Sequence, residues 1–169
     1  MMHYAAIHSP LGEIVLRVED DALSGVFFTG QRHFPALPEA WRVARPNHRL
    51  LIQAEETLGA FFAGERAPFT LPLAPRGTPF QQRAWQALRA IPYGEQVSYG
   101  AIAQRLGLAP GAARAVGGAI GRNPLSIIVP CHRVVGRQGK LTGYAGGLER
   151  KRALLALERG ESLPPGPVS

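Results

Sequence analysis

The strongest constraint in this sequence is a change of hydrophobic period after residue 28. Before it, apolar residues come in short runs cut by turn signals: MHYAAIH (2–8), the turn SPLG, EIVLRVE (13–19), the turn DDA, then LSGVFF (23–28). That pattern predicts strands joined as hairpins. From Thr78 onward the apolar residues recur at helical spacing instead. Strands first and helices later predict a mixed α/β chain of the segregated, α+β kind. With 169 residues it can bury a real core, as one domain or two small ones.

Within the first part, residues 30–47 are Pro-rich and read as an irregular loop over the surface. An amphipathic helix follows, with Leu51, Ala54, Leu58, Phe61 and Phe62 on one face and Gly64 as its stop. PFTLPL (68–73) reads as a short strand, and LAPRG as a linker. Residues 1–76 are therefore expected to form a small N-terminal α/β scaffold domain.

Residues 77–159 are expected to form a second, mostly helical domain. Thr78 is the N-cap of its first helix, Pro79 sits at the first helical position and Gln81 completes a capping box. Phe80, Ala84, Trp85, Leu88 and Ile91 make its buried face, and PYGE ends it. Ser98 caps a short helix carrying Ile102 and Leu106, which stops at Gly107. Another helix runs from about Pro110 to Gly121 with Ala113, Val116 and Ile120 inward. Two helices around a Gly-containing turn fit a helix-turn-helix, or any antiparallel helix pair. The exposed side of the later helix is Ala and Gly with one long residue, Arg114. Small residues there suit close backbone approach to a shallow minor groove, or tight helix packing through the glycines. On the last helix Leu148, Lys151, Leu154, Leu155 and Glu158 share a face. Glu158 is thus an acid on a core-facing stripe near a helix C-terminus, where the macrodipole disfavours it. It needs a partner, either an arginine or a catalytic imidazole. Residues 160–169 read as a disordered tail.

Net charge is +7, and its distribution is uneven. Residues 1–76 hold 7 Arg against 8 acids; residues 77–169 hold 10 Arg and 2 Lys against 4 acids. All the excess lies in the later part. A polyanion partner is one reading, a merely basic surface the other. The apolar runs are far too short to span a membrane, and MMHYAAIHSP has no signal-peptide pattern, which points to the cytoplasm.

The chain has one cysteine, Cys131, in SIIVPCHRVVG (126–136). It can make neither an internal disulfide nor a four-thiolate zinc site. A cysteine becomes nucleophilic where its thiolate is stabilised; the candidates are His132, Arg133 and the basic surroundings. In an extended segment Cys131 and His132 would point to opposite faces. Either the chain turns at Pro130, or a water bridges thiol and imidazole. An acid behind the imidazole would complete a relay. His3, His8, His33 and His48 show no metal-ligand spacing; GRQGKLT lacks the Walker spacing, and GGAIG is not a dinucleotide fingerprint.

IVPCHRVVG, the upstream GAARAVGGAIGRNP and the downstream LTGYAGGLERK together resemble the O6-alkylguanine-DNA alkyltransferases, also called methylated-DNA–protein-cysteine methyltransferases. The likeness spans residues 78–159 in order and spacing. TPFQQRAWQALRAIPYGEQVSYGAIA is similar to that family's helix-turn-helix region, and HSPLGEIVL and FFAGE to its scaffold domain.

The resemblance implies a ribonuclease H-like N-terminal domain and a winged-helix-like C-terminal one. It implies a single-turnover transfer of an alkyl group from guanine O6, and of O4-alkylthymine as a further substrate class, to Cys131, with the base flipped from the minor-groove side. His132, through a water, and Glu158 behind it would favour the thiolate. Asn123 would hold the turn into the active-site segment. Tyr99 would protonate the departing guanine or brace the phosphate. Arg114 would enter the base stack, with Ala112, Ala113 and Gly117 beside it on DNA. Tyr144, Ala145, Gly146 and Val134 would line the guanine pocket. The position of Ala145 is Ser in some relatives, so only its backbone N–H can serve. No cofactor is implied, and no zinc site, since the N-terminal part has no cysteine. The implied partner is double-stranded DNA carrying alkylated bases, bound by a monomer; cooperativity on DNA stays open.

Overall fold

The computed structural model describes residues 2–44, 48–66 and 69–163. Strands β1 (Met2–Ile7), β2 (Ile14–Glu19) and β3 (Ala22–Phe28) form an antiparallel sheet in that order. The register runs from Met2 opposite Glu19 to Ile7 opposite Ile14, and shifts between Arg17 and Val18 where β2 meets β3. Gly12 takes φ +113° in the first hairpin turn, a conformation open to glycine at no steric cost.

Helix α1 (Arg49–Phe62) covers one face of this sheet. Leu51, Ala54, Leu58 and Phe61 are buried, as the helical spacing predicts, in one core that includes Ile14, Leu16, Val18 and Phe28. Phe62, expected on the same face, is only half-buried. His48 caps α1, its Nδ1 accepting the Leu50 N–H at 3.1 Å. The expected surface loop is seen over 30–44, with one turn of 3₁₀ helix at Glu39–Trp41; 45–47 lie outside the described residues.

The expected strand at 68–73 is corrected. Residue 68 lies outside the described residues, and 69–73 make only a single bridge between Leu73 and Leu23. Pro72 has no N–H for a ladder. Its carbonyl accepts the Leu23 N–H at 2.8 Å, and the segment leaves after one further bond, from Ala74 N–H to Leu23 O.

Helix α2 (Pro79–Arg89) starts on the predicted capping box, Thr78 with Gln81. Helices α3 (Tyr99–Arg105) and α4 (Ala113–Gly121) pack on it and on each other. Ser98 Oγ caps α3 by accepting the Ala101 N–H at 3.0 Å, and Gly107 ends that unit with φ +75°. Trp85 on α2 donates its indole N–H to Ala119 O at 2.9 Å, locking α2 to α4. The expected helix from Pro110 opens as a 3₁₀ turn, Pro110–Ala112. Ala113, expected inward, is half-buried, and Ala119 takes the core position with Val116 and Ile120.

Two short parallel strands, β4 (Val97–Ser98) and β5 (Val134–Val135), join the helix-turn-helix to the cysteine segment. Helix α5 (Leu148–Glu158) closes the fold. Leu148, expected in the core, is 43% exposed at its N-terminus; Lys151, Leu154, Leu155 and Glu158 are buried as expected. The tail expectation is corrected at its start: Gly160 and Glu161 bond back to α5 and Leu163 packs on the core, while 164–169 lie outside the described residues.

The two halves share one core. Val26 at the free edge of β3 donates to Pro124 O and accepts from Ser126 N–H, so the segment before Cys131 is pinned to the N-terminal sheet. Among the described residues no helix is long and apolar enough to cross a membrane.

Candidate active site around Cys131

The cysteine segment is buried throughout from Asn123 to Val135 and contains two tight turns. Ile128 N–H bonds to Ser126 O at 2.8 Å around Ile127, whose φ is +72°. This i→i+2 bond marks a γ-turn of the rare, strained hand, and a β-branched residue makes it costlier. Asn123 holds it. Its Oδ1 accepts the Leu125 N–H at 3.0 Å and its Nδ2 donates to Val129 O at 2.9 Å. A second i→i+2 bond, from Cys131 N–H to Val129 O at 2.7 Å, closes over Pro130 at φ −79°, ψ 63°. Cys131–Arg133 then form one 3₁₀ turn. The chain turns at Pro130, yet Cys131 and His132 make no direct hydrogen bond, the imidazole Nδ1 having no partner in the protein.

That turn sends His132 and Arg133 toward the end of α5. His132 Nε2 lies 2.8 Å from Glu158 Oε2. Arg133 Nε and Nη2 donate to the same carboxylate at 2.9 and 2.7 Å, and its Nη1 to Ile91 O at 2.7 Å. Glu158 therefore has both of its expected partners at once. Burial works against its charge, but the bonds and charges of His132 and Arg133 outweigh this and hold the carboxyl at about 2. Burial lowers the His132 pKa despite the nearby carboxylate, so the ring is neutral. A neutral imidazole beside a carboxylate carries its proton on Nε2, which leaves Nδ1 as an acceptor. Nδ1 is buried and has no hydrogen-bond partner in the protein.

Cys131 is 5% exposed, and it forms part of the wall of a cleft of about 1130 Å³. Burial pushes its thiol pKa up, against the opposing effects of the Asn123 amide and the Lys151 ammonium. The expectation of a resting thiolate is thus corrected: desolvation dominates, and the sulfur waits as a neutral thiol. Lys151 is fully buried on α5, its Nζ donating to Val134 O at 2.6 Å and Thr142 O at 2.8 Å. Burial lowers its pKa to about 8.

The expected site residues divide by position. Tyr99, Ala113, Arg114, Gly117, Tyr144 and Ala145 face the cleft with Cys131. Ala112 packs half-buried on the core, Val134 is sealed in β5, and Gly146 lies behind Tyr144; these three do not face it. A Cβ at Gly117 would sit 3.7 Å from the Tyr99 ring, so α4 approaches that ring closely. Thr142 Oγ1 donates to Tyr99 Oη at 3.4 Å. The Tyr144 hydroxyl is buried without a partner at hydrogen-bond geometry, with Ser126 the polar side chain near it, and burial raises its pKa well above 10.

Sequence reasoning missed Arg32 and His33, which bring the N-terminal half to the rim of the cleft. With Arg114 and Arg122 they make a rim that includes no acidic side chain. It also missed the lysine at 151 as a tie for the pocket loop. A lysine on an otherwise apolar helix stripe was the available signal.

Comparison with known proteins agrees with this geometry. Residues 2–75 match the family model for the 6-O-methylguanine DNA methyltransferase ribonuclease-like domain, and residues 79–160 match that for the DNA-binding domain. The chain belongs to the 6-O-methylguanine DNA methyltransferase family. Members of this family are similar along nearly its whole length. The methylated-DNA–protein-cysteine methyltransferase of Mycolicibacterium paratuberculosis is 51% identical over 162 residues, 96% of this chain and 95% of the relative. The constitutive enzyme of Bacillus subtilis is 44% identical over 160 residues, 94% of this chain and 96% of its own. The crystal structure of Mycobacterium tuberculosis OGT in complex with DNA superposes with a TM-score of 0.84 at 48% identity, covering 95% of each chain. The mixed α/β fold is that of these methyltransferase structures.

Proposed function

We propose that this protein repairs DNA by moving the alkyl group of O6-alkylguanine onto Cys131 Sγ, once per molecule. The observation that carries this is a solitary thiol at a cleft wall, next to a neutral imidazole held by a buried carboxylate. The DNA-bound relative from Mycobacterium tuberculosis supports DNA as the partner.

In the proposed reaction Sγ attacks the alkyl carbon in line with the C–O6 bond, so the base must leave the duplex stack. The S–C bond forms as C–O6 breaks. The thiol proton passes through one water to His132 Nδ1, and Glu158 stabilises the imidazolium that results. Tyr99 Oη protonates the departing guanine and is restored by the imidazolium through solvent. Overall, thiol and alkyl ether become thioether and guanine. A neutral resting thiol suits this scheme, because the charge develops only when substrate has displaced bulk water. The thioether has no easy hydrolytic exit, and the chain has no second cysteine.

Arg114 is proposed to fill the gap in the stack, with Ala113 and Gly117 letting α4 approach the minor groove and Ala112 completing that contact face. The Ala145 N–H and the Tyr144 ring would hold the flipped base, with Gly146 and Val134 supporting them from behind. O4-alkylthymine is a second substrate of the same chemistry. The protein acts as a monomer, and a thiol that must stay reduced suits the cytoplasm.

The test is a duplex carrying O6-methylguanine labelled in the methyl carbon. Label should move to the peptide containing Cys131 and saturate at one per chain, with no transfer in Cys131→Ala. A duplex with O4-methylthymine tests the second substrate. Multiple turnovers, or label on another residue, would overturn the proposal.

A further inference from the structure

We infer that Arg150 is a positioning residue that sets the width of the alkyl pocket by tying its wall to the N-terminal half. The inference rests on the alkyl-transfer reading above. The wall is the segment from Thr142 to Gly147, which belongs to no helix or strand. An irregular segment takes its position from the groups that bond its backbone.

Arg150, in the first turn of α5, makes that connection. Its Nη1 donates to Gly146 O at 3.1 Å, and its Nε donates to Leu11 O at 2.8 Å in the β1–β2 turn. Its guanidinium lies over the Phe28 ring, 4.6 Å from the centroid, at the end of β3. One planar cation thus joins the wall to two points of the N-terminal sheet. A second tie runs parallel to it: the Arg32 N–H donates to Ala145 O at 2.9 Å. The stack has no slack. A Cβ on Gly146 would stand 2.7 Å from the Tyr144 ring and 3.0 Å from the Phe28 ring.

Arg150 does not face the cleft, so it acts through Tyr144 and Ala145. Charge-assisted bonds to two carbonyls and a flat stack on a ring are properties of guanidinium that an ammonium cannot reproduce together. Without them the wall moves outward from Cys131. A small alkyl group then loses its fit, while a bulky one loses less or gains.

The experiment compares single-turnover transfer from duplexes carrying O6-methylguanine and O6-benzylguanine. In Arg150→Ala the methyl rate constant should fall about tenfold, and the benzyl-to-methyl ratio should rise by about tenfold. Arg150→Lys should give an intermediate ratio, and it carries the same test if Arg150→Ala does not fold. Leu58→Ala, on the buried face of α1 and outside the wall segment, controls for general loosening. An unchanged ratio in folded Arg150→Ala or Arg150→Lys overturns the inference, as does an equal shift in Leu58→Ala. A wild type that takes no alkyl group onto Cys131 overturns the alkyl-transfer reading instead, and this inference falls with it.

Discussion

His132 Nε2 stands 2.8 Å from Glu158 Oε2, with both side chains sealed from solvent and Arg133 bonded to the same carboxylate. One buried anion thus fixes the imidazole tautomer and neutralises a buried cation. Stability and chemistry are coupled at this point. Replacing Glu158 with Gln leaves Arg133 buried without its counter-charge and leaves one acceptor oxygen where the carboxylate had two, so the hold on the Nε2 proton weakens. Unfolding free energy should fall by about 3–5 kcal/mol in urea titration. Alkyl transfer should slow by about 10²–10⁴-fold in single-turnover assays of the folded variant.

Acid should weaken the fold through the same pair. The Glu158 carboxyl is held at about 2 against an ordinary 4.5, so its contribution is complete above 4.5 and is lost as pH falls toward 2. Its share is about 3 kcal/mol. The His132 pKa is depressed below 6.5 by burial, so its protonation also opposes folding as pH falls below 6.5. The urea midpoint should therefore decline from about pH 6.5 downward and drop most between 4.5 and 2. In Glu158→Gln the lower part of that slope should flatten; an unchanged slope would remove Glu158 as its cause.

Asn123 offsets the strain at Ile127. Asn123→Ala removes its bonds to Leu125 and Val129 in a buried turn. The expected loss is about 2–4 kcal/mol of stability. Labelling of Cys131 by a thiol reagent should become faster than in the wild type, because the turn that buries it relaxes.

Lys151 should be visible at high pH. Burial holds its pKa at about 8 rather than 10.5, so this group opposes folding while charged, and its contribution makes stability rise between pH 8 and 10.5. Lys151→Met should abolish that rise. It should also slow transfer about tenfold, the effect of one pKa unit on the thiol, because Cys131 loses the buried ammonium that opposes the rise of its pKa.

Arg114 is exposed, and its side chain makes no hydrogen bond within the described residues. Arg114→Ala should change stability by less than about 0.5 kcal/mol. Transfer from a duplex should fall about 10–100-fold, and reaction with the free base O6-benzylguanine much less, because in the proposed reaction only the duplex gives up a stacked base. Equal losses on both substrates would place Arg114 outside base extrusion.

The features legible in the sequence were those set by neighbours a few residues apart. The capping box at Thr78, the Ser98 cap, the stop at Gly107 and, Phe62 apart, the apolar face of α1 formed as the residue spacing implied. The strand expected at 68–73 did not, because Pro72 allows one bridge but no ladder.

The sequence by itself determined the helices and hairpins, the family and the solitary thiol, since caps, turns and motifs are local chemistry. Only the tertiary structure decided that Glu158 binds His132 and Arg133 together, that Lys151 ties the pocket loop, and that Arg32 reaches the rim. It also decided that Cys131 rests as a thiol, against the expectation from its basic neighbours. The reason is physical. Bond partners distant in the chain, and the loss of solvent around a charge, exist only once the fold has closed over them.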